Sequence, residues 1–105
     1  MAFLEVHINP NRATNRTIPF LLDVQADLLS SLNTRLVVPL YRKDAAPARV
    51  IARLTPLLKF QGKTYVAMIP EIAGVSQRVL GTSAGHLTTL RAEIIAALDL
   101  LFTGI

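Results

Sequence analysis

The hydrophobic period of the chain changes at "LTTLRAEIIAALDLLFTGI", residues Leu87 to Ile105. Leu87, Leu90, Ile94, Leu98, Leu101 and Ile105 recur three and four residues apart, the spacing of one side of an α-helix, and Thr88 stands where an N-cap would. Ile95, Leu100 and Phe102 fall off that stripe, so the predicted helix is apolar around much of its girth. Such a helix is buried on more than one side, here by its own sheet and by a second subunit.

Upstream of Leu87 the period is two. Leu4, Val6 and Ile8 alternate with Phe3, Glu5 and His7, and Ile18, Phe20, Leu22 and Val24 share a face in the same way. Between these runs, "NPNRATNR" (Asn9 to Arg16) is a loop by its Asn and Pro content. Leu36-Val37-Val38 predicts a short apolar strand ended by Pro39, which lacks the N–H that a ladder needs. Leu57 to Phe60 and Thr64 to Ile69 flank Gln61-Gly62-Lys63 as a hairpin with a three-residue turn. Val75 to Leu80 is a weaker strand closed by Gly81. The expected architecture is one domain, residues 1–105: a small antiparallel β-barrel or β-sandwich followed by one C-terminal helix.

Composition narrows the function. Hydrophobic residues make up 51% of the chain and charged residues 17%. That is apolar for a body of this size and predicts that another copy covers part of it, most simply as a homodimer. The absence of cysteine excludes disulfides, thiolate zinc sites and cysteine nucleophiles. The opening Met1-Ala2-Phe3-Leu4-Glu5-Val6 has neither a basic segment nor a sustained apolar run, and Ile94 to Leu98 stops at Asp99. A cytoplasmic protein without membrane contact is therefore expected. The net charge of +4 comes from basic residues spread from Arg12 to Arg91, which favours an acidic partner in general rather than nucleic acid in particular.

Catalytic chemistry finds no support. His7 and His86 are the two histidines and have no further ligand at metal-site spacing, so they are expected to be structural or solvated. Ser30, Ser31, Ser76 and Ser83 lie in no Gly-x-Ser-x-Gly elbow. Glu71, Glu93 and Asp99 do not pair, and the glycines occur singly rather than as a phosphate-cradling loop. No metal or cofactor is expected. One polar stripe remains on the predicted helix: Ala92, Ala96, Asp99 and Thr103, ending beside Gly104-Ile105. From spacing alone it reads either as an ordinary solvent face or as a surface whose small residues let a second backbone approach.

Five stretches, taken in order, resemble the CcdB family of toxins from toxin–antitoxin modules: "LLDVQADLL" (Leu21 to Leu29), "RLVVPL" (Arg35 to Leu40), "LTPLLKFQGKTYVAM" (Leu54 to Met68), "EIAGVSQRVLG" (Glu71 to Gly81) and "AALDLLFTGI" (Ala96 to Ile105). The Asp-Val-Gln-x-Asp element and the Phe-x-Gly-Ile ending are the distinctive parts. The resemblance runs from about Phe3 to Ile105.

The resemblance implies an SH3-like β-barrel of the CcdB/MazF toxin type with a C-terminal helix, assembled as a two-fold homodimer. It implies a protein that is not an enzyme: it binds the A subunit of DNA gyrase, traps the cleaved gyrase–DNA complex, and is stripped off by an acidic CcdA-like antitoxin, as in plasmid maintenance modules. DNA would be met only through gyrase or the antitoxin complex. The gyrase contacts carry over as Leu28 and Leu29, Asp99, and the final Thr103, Gly104 and Ile105. Two positions depart from the best-known members, which carry tryptophan where this chain has Thr103 and asparagine where it has Asp99. The alternatives are a diverged toxin-like dimer that binds antitoxin without poisoning gyrase, and an mRNA endoribonuclease of the related MazF/Kid type, whose N-terminal aromatic and Arg-Pro segments are missing here.

Overall fold

The computed structural model describes residues 2–26, 31–47 and 53–104. Among them, seven strands form one antiparallel sheet: β1 (Glu5–Ile8), β2 (Phe20–Asp23), β3 (Thr34–Arg42), β4 (Leu57–Phe60), β5 (Lys63–Ala67), β6 (Ala73–Ser76) and β7 (Ser83–His86). The order is β4-β5-β3-β2-β1-β7, with β6 also paired to β3. A 3-10 turn at Thr88–Leu90 leads into the helix α1 (Arg91–Thr103). This is the expected fold class, a mainly antiparallel half-barrel with one C-terminal helix.

The nine-residue strand β3 organises the sheet. One edge pairs with β2 from Val37 to Leu40, while the other pairs first with β6 (Thr34 to Val37) and then with β5 (Leu40 to Arg42). Pro39 therefore lies inside a strand that was expected to end there. Its carbonyl accepts from Met68 N at 3.1 Å, so its nitrogen points the same way, into the fork between β6 and β5 where no ladder bond is required.

Three further expectations are corrected. The β4–β5 turn has two residues, since Phe60 pairs with Lys63, and Gln61 and Gly62 have φ of 51° and 80°. Two positive φ values make it the turn type whose twist matches the flanking strands. The strand foreseen from Val75 to Leu80 runs instead from Ala73 to Ser76 and gives way to a 3-10 turn at Gln77–Val79. Thr88 does not cap α1, because the 3-10 turn intervenes and Leu90 occupies the cap without a side-chain bond.

The period-two reading of β1 holds for Leu4 and Val6, both fully buried, and fails beyond them: Ile8 is 42% exposed and His7 is buried. Register with β7 shifts between Val6 and His7, and Ile8 lies past the end of the core. Leu4 has φ 67°. This left-handed residue donates to Asp23 O at 2.7 Å and accepts from Leu87 N at 2.8 Å, so one strained backbone unit ties β2 to the lead-in of the helix.

The core fills the concave side of the sheet. Leu22, Val38, Leu40, Leu58, Ile69 and Ile94 are fully buried, each contributing about 1.5–3 kcal/mol of transfer free energy. Phe20 meets Phe60 and Tyr65 edge-on at centroid distances of 5.2 and 5.4 Å. Leu87, Ile94 and Ala97 bring the helix onto this core, with Leu90, Leu98 and Leu101 packed at its margin.

Candidate functional site

The end of α1 is held rather than frayed. Gly104 adopts φ 73° and its N–H donates to Leu100 O at 2.9 Å, a left-handed cap that closes the last turn. One turn back, Thr103 Oγ1 donates to Asp99 O at 2.7 Å. Ala92, Ala96, Asp99 and Thr103 are all exposed, so the stripe read from helical spacing is a continuous solvent-facing strip along α1. Beside it Phe102 is 65% exposed, a large apolar ring left outside the core at the helix tip.

The other candidate contact, Leu28 and Leu29, lies outside the described residues, as does Ile105. The stem that leads to Leu28 is described, and it is clamped. Asp23 and Arg35 are both fully buried and face one another across β2 and β3: Arg35 Nε donates to Asp23 Oδ2 at 2.7 Å and Nη2 to Asp23 Oδ1 at 2.9 Å. Where the ladder of β2 ends, these two side chains take over its work. Gln25 N donates to Asp23 Oδ1 at 2.9 Å, Arg35 Nη2 donates to Gln25 O at 3.3 Å, and Gln25 Oε1 accepts from Leu36 N at 3.0 Å.

The model of one protein family, described as CcdB protein, matches residues 4–104. The chain belongs to the CcdB family. CcdB toxins are non-enzymatic gyrase poisons, and this chain is a CcdB-type toxin. Family membership implies gyrase and an antitoxin as partners.

In this CcdB toxin the stem of the Leu28–Leu29 segment lies against the start of the helix. Phe3, Val24, Ala26 and Arg91 line a shallow cavity of about 330 Å³, and the Arg91 guanidinium sits 5.8 Å from the centre of the Phe3 ring. Asp99 to Gly104 occupy the opposite end of α1, roughly 18 Å along the axis from Arg91 to Thr103. The described stem residues Val24 and Ala26 thus lie at the opposite end of α1 from Asp99, Thr103 and Gly104.

Of the two histidines, His86 is exposed and His7 is buried in β1, between β2 and β7. His7 Nδ1 lies 3.1 Å from Gly81 O and its Nε2 3.4 Å from Glu5 Oε1. Burial pushes the Glu5 carboxyl up, but hydrogen bonds from Ser83 and Ala2 and the neighbouring His7 outweigh it and hold the group below its ordinary range. Among the described residues no three His, Asp or Glu side chains gather at metal-binding distance, and no helix is long and apolar enough to cross a membrane.

Sequence reasoning missed the clamp. Asp23 is a polar residue within an apolar run and Arg35 stands at the head of another, twelve positions away, and only strand pairing makes them neighbours.

Proposed function

We propose that this toxin poisons DNA gyrase, binding the A subunit and trapping the cleaved gyrase–DNA complex. The contacts are the apolar pair Leu28 and Leu29, the helix residue Asp99, and the tip Thr103, Gly104 and Ile105. The observation that carries the reading is the exposed strip Ala92, Ala96, Asp99 and Thr103: it ends in a capped tip and contributes nothing to the core, so it is free to bind. A rigid tip loses little conformational freedom on docking, which favours affinity.

The acting unit is a homodimer of one-domain protomers in the cytoplasm, presenting two tips to a symmetric target, and a CcdA-like antitoxin is its second partner. The exposed Phe102 and the half-buried Ile95 and Leu100 supply apolar surface in keeping with a dimer. Sedimentation at micromolar concentration should give one species of twice the chain mass.

The deciding experiment is induction in a gyrase-sensitive bacterium together with an assay of purified gyrase for accumulated cleaved DNA. Growth arrest accompanied by cleavage supports the reading. Arrest without cleavage assigns another target, and no arrest with antitoxin binding intact leaves a toxin-like dimer that no longer poisons.

A further inference from the structure

Stability does not account well for the buried Asp23–Arg35 pair. Exchanging a buried ion pair for apolar residues of similar size is often neutral or stabilising, because desolvation offsets the attraction. Among the described residues this pair also leaves Arg35 Nη1 buried with no hydrogen-bond partner, a further cost. What the pair does achieve is geometric. It grips both backbone groups of Gln25, one through Asp23 Oδ1 and one through Arg35 Nη2, at the residue where the β2 ladder has already ended. The Gln25 side chain adds a third tie to Leu36 N, on the strand that carries Arg35.

We infer that Asp23 and Arg35 are positioning residues: the pair fixes the backbone at Gln25, three positions before the contact residue Leu28 in sequence, and binding of the target depends on that fixed stem. The inference rests on the gyrase reading only for the identity of that target. The Asp-Val-Gln element is then a mechanical part, in which the carboxylate and the amide hold the backbone at Gln25 against β3 rather than touch a partner. Planar, two-pronged pairing suits this role, since the guanidinium fork reaches Asp23 and Gln25 O together and an ammonium would not. Ala26, the next residue, lines the cavity under Arg91, so a displaced Gln25 would alter that wall as well.

The test uses the full-length chain and two variants, the double substitution Asp23→Leu with Arg35→Met, and Gln25→Met, which leaves both charges in place. Amide hydrogen exchange is followed residue by residue, and affinity for purified gyrase A subunit is measured alongside. Exchange at Gln25 and Ala26 should accelerate by about tenfold or more in the double variant and less in Gln25→Met, while Val38 and Ile94 keep their protection. Gyrase A affinity should fall by about tenfold in step. Exchange that is unchanged at Gln25 and Ala26, or that rises uniformly across the sheet, overturns the inference, because the pair is then idle or simply part of the core. Localised loosening with gyrase A affinity intact also overturns it. If the unmodified protein has no affinity for gyrase A, the functional reading falls, and localised exchange still supports the clamp.

Discussion

The Gln61 side chain donates from Nε2 to the backbone carbonyl of Ala84 at 2.9 Å, joining the turn between β4 and β5 to β7 at the opposite end of the strand order. Beside this bond a Cβ on Gly85 would lie 3.1 Å from Phe60 Cε1, so the two edge strands close on one another through one hydrogen bond and one glycine. Gln61→Ala should destabilise by about 1 kcal/mol, the value of a single exposed bond. Gly85→Ala should cost about 2 kcal/mol or more, since φ is 144° and the ring blocks the methyl. Urea unfolding of the two variants checks the order.

Gly81 and Gly74 form a matched pair for a second measurement. A Cβ on Gly81 would stand 2.4 Å from the backbone oxygen of Ile8, and Gly81 N donates to that same oxygen at 2.9 Å. A methyl there forces β1 away from the strand that follows and loosens the His7 contact with Gly81 O. Gly81→Ala should lose about 2–4 kcal/mol. A Cβ on Gly74 meets nothing within 4 Å, so Gly74→Ala should stay within about 0.5 kcal/mol of the unmodified protein. Equal effects at the two positions would refute the close approach.

Tyr41 gives a pH signature. Its hydroxyl donates to Glu71 Oε1 at 2.5 Å, and burial, then that bond, then the carboxylate's charge push its pKa up to about 12. The folded state therefore favours the neutral phenol. The contribution is complete below about pH 10, the ordinary tyrosine value, and is lost as pH rises toward the folded-state value. Absorbance titration should show a late phase above pH 11 that Tyr41→Phe removes, and Glu71→Gln should bring that phase to lower pH.

The helix, the β2 core face and the exposed strip were legible because period and burial agree there: Ile94 is inside, and Ala92 and Asp99 are outside, as spacing required. Strand β7 was not. Ser-Ala-Gly-His has no alternation and little intrinsic strand preference, and only pairing with β1 makes it a strand. Pro39 misled for the complementary reason, because local chemistry says stop while a fork in tertiary pairing removes the objection. At the candidate site helical spacing located the exposed strip, and only the family resemblance marked its end as a contact surface, whereas the Asp23–Arg35 clamp belongs to a register that no local window contains.

Antitoxin binding should depend on salt. The chain carries a net charge of +4, and a flexible acidic segment gains long-range attraction that ions screen over about 8–10 Å at near-physiological strength. Affinity for a cognate CcdA-like peptide should fall as salt rises from 50 to 500 mM, roughly tenfold or more. A flat profile would assign binding to apolar anchoring and leave the basic residues a solubilising role.

Thr103→Trp tests the target most directly. Thr103 is exposed, its hydroxyl donates back to Asp99 O, and the Gly104 cap forms through backbone alone, so the tip accepts a larger side chain without repacking. Threonine and tryptophan differ little in helix preference, and the unfolding midpoint should stay within a few degrees. At a protein interface the indole adds stacking and cation–π contacts of about 0.5–2 kcal/mol per site together with buried area. A gain of about 1.4 kcal/mol is tenfold, and two tips of a dimer would change together. Gyrase cleavage in vitro should therefore appear at a concentration at least about tenfold lower for the variant. If the Thr103 protein already poisons its host's gyrase strongly and tryptophan weakens it, the groove on gyrase fits a small residue. If neither form affects gyrase at any concentration, gyrase is not the target, and the family assignment keeps the fold and the toxin class alone.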